Sequence, residues 1–184
     1  MKIGIMCSAL LLSAMLLTEC KKDENKVVVS GITEVDATGS SLGTVDPTDW
    51  KIGDLWTDKE EALFHSLELT SAQAYLKSVA PVDTSATTNT IKVNPAYPNP
   101  FKTIIAFTVS NNISSGRFEY VIVNTDLTVL KSGVANSFEI GTTSWAFDLS
   151  DNSTFAPNNL YRMYYKFVIG NVVFRGHGDI KKVE

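Results

Sequence analysis

Few residues in this 184-residue chain have chemical reach: histidines at 65 and 177, cysteines at 7 and 20, and an acidic stretch holding Asp46, Asp49, Asp54 and Asp58. His177 stands between Gly176 and Gly178 and two residues before Asp179, a spacing that could pair an imidazole with a carboxylate for proton transfer. No Gly-x-Ser-x-Gly nucleophile accompanies it and no second metal ligand lies near, so His177 reads as an edge-strand histidine. The Gly-His-Gly run opens no helix after a strand and is not a phosphate cradle. The four aspartates offer hard oxygens, but without the alternating spacing and turn glycine of a calcium loop, so they read as turn and cap residues. Both cysteines fall within the first twenty residues, which excludes a Cys nucleophile, a Cys-ligated zinc and a disulfide scaffold from the rest of the chain. No cofactor, no metal and no enzymatic activity are expected. A net charge of −4 without a basic stripe excludes a nucleic-acid surface.

Cys20 gains its meaning from its surroundings. Lys2 precedes an uncharged apolar run from Ile3 to Leu17. That run falls short of the roughly 20 residues a membrane-spanning helix needs and suits the apolar core of a secretory signal. Leu17-Thr18-Glu19-Cys20 ends it, with Glu19 where a small residue is usual, and Lys21-Lys22-Asp23-Glu24 follows. The arrangement resembles a bacterial lipoprotein signal covering residues 1–19. The resemblance implies that Cys20 is acylated and becomes the mature N-terminus. Each buried acyl methylene would contribute about 0.8 kcal/mol of membrane affinity. Lys21, Lys22, Asp23 and Glu24 also resemble the charged export tag of surface-exposed lipoproteins from Bacteroidetes-type bacteria. An outer-membrane, outward-facing, lipid-anchored protein is the expectation.

Residues 20–45 are poor in large apolar groups, and the Thr38–Thr44 stretch holds two glycines and two serines; they are expected to form a flexible tether. Residues 46–80 gather Trp50, Leu55, Trp56, Leu63, Phe64 and Leu67. Thr57 and Glu60 form a capping box that predicts a short helix at 58–67, and Thr70 to Leu76 carries a weaker helix signal. These aromatics must dock on something larger. Residues 81–90 form a polar linker. From 90 to 184 the pattern turns to about eight short alternating runs separated by turns. The clearest, 160–169, puts Tyr161, Met163, Tyr165, Phe167 and Ile169 on one face and Arg162, Tyr164 and Lys166 on the other; Gly170-Asn171 marks a hairpin turn. The prediction is mainly β, an immunoglobulin-like antiparallel sandwich preceded by one or two short helices.

At Tyr97-Pro98-Asn99-Pro100-Phe101 the chain resembles the opening of small immunoglobulin-like domains at the C-termini of secreted Bacteroidetes-type proteins, the type IX secretion sorting domains and flagellar-hook-cap-type sandwiches. The resemblance covers 91–184. Physically, the prolines hold Tyr97 and Asn99 extended and cannot donate to a ladder, so the motif is a structural corner expected to set Tyr97 and Phe101 over one end of the sandwich. The ending Gly176-His177-Gly178-Asp179-Ile180-Lys181 departs from the Lys- and Val-rich closing strand of sorting domains. The expected function is a non-enzymatic surface lipoprotein whose sandwich makes structural or protein–protein contacts. Its partners are the membrane through Cys20 and an unknown protein or glycan. Two alternatives stand beside it: a secretion-sorting module, or a carbohydrate-binding accessory lipoprotein presenting Tyr164, Trp50 and Trp56.

Overall fold

The two-residue alternation of the C-terminal half becomes strand pairing almost residue for residue. The computed structural model describes residues 26–29, 31–65, 67, 91–112, 116–138, 140–169 and 172–184. The signal, Cys20, Lys21 to Glu24, the 70–76 helix signal, the 81–90 linker and the Gly170-Asn171 turn lie outside them. Among the described residues there are seven strands: β1 (Ile91–Val93), β2 (Ile104–Asn111), β3 (Gly116–Val123), β4 (Val129–Phe138), β5 (Gly141–Asp148), β6 (Leu160–Ile169) and β7 (Val172–Lys181). One helix, α1 (Asp58–Ala62), precedes them. The expected separate runs at 127–134 and 138–140 are one strand, β4, because the chain does not turn until after Phe138.

The strands form two antiparallel sheets, ordered β1-β2-β5 and β4-β3-β6-β7, packed as a sandwich. The chain crosses between sheets after β2, β4 and β5, while β1 and β2, β3 and β4, and β6 and β7 each share a sheet. Facing residues fill the space between the sheets: Ile105, Phe107 and Val109 from β2, Phe118 and Ile122 from β3, Tyr161, Met163, Tyr165 and Phe167 from β6. Phe107 is the hub, with ring centroids 5.4 Å from Phe118, 5.1 Å from Tyr165 and 6.4 Å from Phe167. Such aromatic pairs contribute about 0.5–1.5 kcal/mol each beyond their burial. At the entry to β6 the Tyr161 hydroxyl donates to Ala156 O at 3.0 Å, a tyrosine corner that pins the crossing from β5.

The expected tether is folded onto this sandwich from Lys26 onward, which corrects the flexible reading of residues 26–45. Val27, Ile32 and Val35 are buried. Val35 exchanges backbone hydrogen bonds with Asn99, at 2.8 and 2.9 Å. Thr38–Thr44 is the tip of a small hairpin in which Leu42 N–H bonds Glu34 O and Glu34 N–H bonds Thr44 O. Gly39 and Gly43 serve there at φ +82° and +107°, values that disfavour other residues. Further on, α1 has the expected capping box of Thr57 and Glu60 but stops at Ala62; turn residues then carry Phe64 and Leu67 into burial and leave His65 exposed.

Candidate functional site

The site is built on the outer face of the four-stranded sheet. Register across β3, β6 and β7 aligns three rows there: Glu119, Lys166 and Arg175; Val121, Tyr164 and His177; Val123, Arg162 and Asp179. In an isolated sandwich this face would meet water, and its charges would be ordinary. Here residues 26–29, the 50–57 segment and α1 with its following turn lie over it. Val27, Phe64 and Leu67 bury against Val121, Val123 and Tyr164, forming a second, smaller core.

Covering a charged row demands a partner for every charge, because an unpaired buried ion costs several kcal/mol. The covering segment supplies one for Lys166 and Arg175, while Arg162 and Glu119 find theirs within the sheet, in Asp179 and Arg117. Glu61 pairs with Lys166 and lies 3.2 Å from Arg175 Nη2. Lys166 is 2% exposed and sits 4.4 Å over the Phe64 ring, while Trp56 lies within 5.3 Å of Lys166 and 5.6 Å of Arg175. Arg162 grips Asp179 through both Nε and Nη2 at 2.6 Å and donates to Val28 O at 3.2 Å. Burial works against the guanidinium charge, but Asp179 outweighs it and holds Arg162 above its ordinary pKa. Tyr164 Oη donates to Glu60 Oε1 at 2.7 Å. Burial raises the Tyr164 hydroxyl, and Glu60 raises it further; burial also pushes Glu60 up, but the Tyr164 and Thr57 hydrogen bonds bring its carboxyl below the usual range. His177 Nδ1 is bonded to Asp54, so the histidine pairs with an acid 123 residues earlier and not with Asp179.

The 50–57 segment reaches this face by hemming the edge of β7. Trp50 enters the inter-sheet core, stacking 6.3 Å from Tyr165 at an interplanar angle of 5°. Trp50 N–H then donates to His177 O and Gly53 N–H to Arg175 O, both at 2.8 Å, so the chain rounds the strand and emerges on the outer face at Asp54. Gly176 and Gly178 make this possible. A Cβ at Gly178 would lie 2.3 Å from the Trp50 ring, and one at Gly176 would lie 1.9 Å from Lys51 O. The Gly-His-Gly run is thus two clearances around a histidine hydrogen-bonded to Asp54.

Between Lys26, Leu127, Arg162, His177 and residues 54–60 an open cleft of about 230 Å³ remains. It contains charge, an imidazole and the half-buried Trp56, but the polar side chains described above already bond within the chain. Thr57, the cleft's hydroxyl, is occupied with Glu60 at 3.0 Å. The arrangement can hold a covering segment in place; it presents no nucleophile–base pair.

Beneath the hem, Asp49 accepts the Asp179 N–H at 3.1 Å and the Thr33 N–H at 3.2 Å. Burial, with the neighbouring Asp179 and Asp46 charges, raises its carboxyl to about 7. Between the ordinary unfolded value and 7, the native state binds a proton that the unfolded chain does not. Stability therefore falls as pH rises through that interval, by up to about 1.4 kcal/mol per unit. Urea unfolding between pH 5 and pH 8 should show this slope in the wild type. Asp49→Ala, though less stable throughout, should lack that share of it; an unchanged slope would show Asp49 is ionised in the native protein.

Of the expected binding face, Tyr164 and Trp50 are buried at 1% and 6% exposure, and Trp56 is half-buried against Phe64 and Tyr164. The three do not form an exposed platform: Trp50 lies in the inter-sheet core, the other two in the second core. The proline motif is structural, with cis peptides before Pro98 and Pro100. Phe101 sits in the core, but Tyr97 does not share its side; it packs half-buried near Gly39, which corrects the expectation that both cap one end. Asn99 is the residue the sequence undersold. Fully buried, it donates through Nδ2 to Thr33 O at 3.0 Å and Asp179 O at 2.9 Å, and accepts the Lys181 N–H at 3.0 Å. The acids offered as turn residues divide: Asp46 does turn the chain, bonding Thr48, whereas Asp49 and Asp54 bond across to β7.

No protein family matches the sequence, and no curated protein matches it. Among solved structures the chain is similar to one from Bacteroides fragilis proposed as a beta-galactosidase, at 10% identity and a TM-score of 0.30. That similarity covers 47% of this chain and 15% of the other.

Proposed function

We propose that this protein is a non-enzymatic, surface-exposed outer-membrane lipoprotein whose sandwich is a contact module held by an acylated Cys20. The observation that carries the reading is the position of the packed residue nearest Cys20 among those described. Val27 is buried on the sheet and its N–H donates to Thr125 O at 2.8 Å, only seven residues beyond Cys20. A chain reaches at most about 3.6 Å per residue, so an anchor at Cys20 would hold the domain within roughly 25 Å of the bilayer. The ion pairs over β6 and β7 fit the same reading, since they fix the segment that would bear the attachment and leave their groups engaged inside the chain. The Lys21 to Glu24 tag supports outward display.

Intact-mass measurement of the protein from membrane fractions tests this directly. A mature chain beginning at acylated Cys20 and ending at Glu184 is expected, and Cys20→Ser should release it from the membrane. A Cys20→Ser protein that stays bound would refute the anchor, and loss of the C-terminal domain during export would favour the sorting alternative.

A further inference from the structure

A sandwich has four edge strands, and each unpaired edge is a template for another strand. Among the described residues three of the four are guarded. β7 is hemmed by Trp50, Gly53 and Asp54. β1 is three residues long and exposes Lys92. β4 carries register shifts in its pairing with β3, and Lys131, opposite the core-facing Ile122, places a charge at its margin. β5 has none of these devices. It is eight residues long, Gly-Thr-Thr-Ser-Trp-Ala-Phe-Asp, pairs in unbroken register with β2 alone among the described residues, and has no proline, no lysine and no charge before Asp148.

We infer that the free edge of β5 is a self-association edge, where a second copy of this chain adds antiparallel to give a continuous six-stranded sheet. In a two-fold antiparallel pairing, facing residues must lie on the same side of the sheet, so the axis passes through a residue. With the axis at Ser144, residues 141–147 of one copy face 147–141 of the other. Thr142 meets Ala146, Thr143 meets Trp145, and Ser144 meets itself. The one charge, Asp148, falls outside the paired length, so no like charges oppose. The outer side also matches: Ser144 shares a 2.7 Å hydroxyl contact with Thr108, and Thr142 one of 3.2 Å with Ser110, a ladder that continues through the axis into the partner copy. Thr142, Ser144 and Ala146 are exposed and small, leaving room for close approach. An edge of seven residues falls below the roughly 1,200 Å² of a standard stable interface, so the pair is weak in dilute solution. It becomes populated when copies share a surface, where the effective concentration reaches the millimolar range. In that respect the inference rests on the anchored reading.

The test uses the full chain extracted from membranes, with intact mass establishing first whether Cys20 is acylated. Acylated protein is reconstituted in vesicles and its association followed by energy transfer between copies labelled at Glu184→Cys. Unacylated Cys20→Ser protein is instead examined by sedimentation at about 1 mM, the corresponding effective concentration. Self-association is expected in the wild type. Ser144→Lys and Ser144→Glu, each alone, should weaken it by about twofold to fivefold, since like charges then meet at the axis; an equimolar mixture of the two should restore it. A monomeric wild type, or lysine and glutamate variants that associate as the wild type does, would overturn the proposal. So would slow amide exchange along β5 in the monomer, which would mean that another segment already covers the edge. A wild-type mass that shows Cys20 unacylated, with Cys20→Ser protein that still pairs through Ser144, would sink the anchor and leave the edge standing.

Discussion

Gly176→Ala is expected to lift residues 50–54 off the sandwich and cost about 3 kcal/mol or more. The new Cβ would lie 1.9 Å from Lys51 O and 2.5 Å from Tyr165 Cε2. Neither can retreat cheaply. Lys51 is fixed between the Trp50 and Gly53 hydrogen bonds to β7, and it accepts the Tyr165 hydroxyl at 2.7 Å. Relief requires the hem to leave, which exposes Trp50 and loses the stabilisation of a large buried aromatic. Its departure also strips Asp54 from His177 on the outer face. The measurement is urea unfolding with tryptophan fluorescence, together with amide exchange at Trp50 and Gly53. Gly178→Ala offers an internal check, because its Cβ meets the Trp50 ring and not backbone. Once Trp50→Ala has removed the ring, Gly178→Ala should cost little. Additive losses in that cycle would show that the glycines serve something other than clearance.

The sandwich was legible because its signals are periodic and local. Phe118, Tyr120 and Ile122 alternate with Glu119 and Val121, and Tyr161, Met163, Tyr165 and Phe167 with Arg162 and Tyr164; that alternation alone assigns one side of each strand to the core. The covering segment left no such trace. Residues 26–49 attach through three scattered apolar residues, Val27, Ile32 and Val35, and through backbone carbonyls, carboxylates and the Asn99 amide, contacts that carry no period and read as polar linker. The tryptophans at 50 and 56 showed only that something must be buried, not where. Tyr164 was misassigned for a related reason. Alternation places it correctly on the face away from the inter-sheet core, but what covers that face comes from 104 residues earlier, at Glu60. Likewise Asp179 lies nearer to His177 in sequence than Asp54 does, yet alternation sets both His177 and Asp179 on the outer face in different rows, where each takes a partner from another segment.

Asn99→Asp should be strongly destabilising, and more damaging at neutral pH than Asn99→Ala. The Asn99 side chain is fully buried and joins three pieces: Thr33 of the covering segment, and Asp179 and Lys181 of β7. Its amide donates to two carbonyl oxygens at 3.0 and 2.9 Å. Alanine leaves both carbonyls and the Lys181 N–H without partners, at about 1–3 kcal/mol for each buried group left unsatisfied. Aspartate keeps the acceptor for Lys181 but turns an oxygen toward two oxygens. The carboxyl must then be buried charged against like partial charges or take up a proton, which still provides one donor where two are needed. At pH 7 the loss should exceed that of the alanine variant by about 1–3 kcal/mol, because the charged form adds an uncompensated buried charge. Because protonation relieves most of the repulsion, the gap between the aspartate and alanine variants should narrow toward pH 4.5. Thermal or urea unfolding of the two variants at both pH values decides it. Equal stability at pH 7 would mean that the carbonyls of Thr33 and Asp179 draw little from the amide, and that the proline corner holds the covering segment by packing alone.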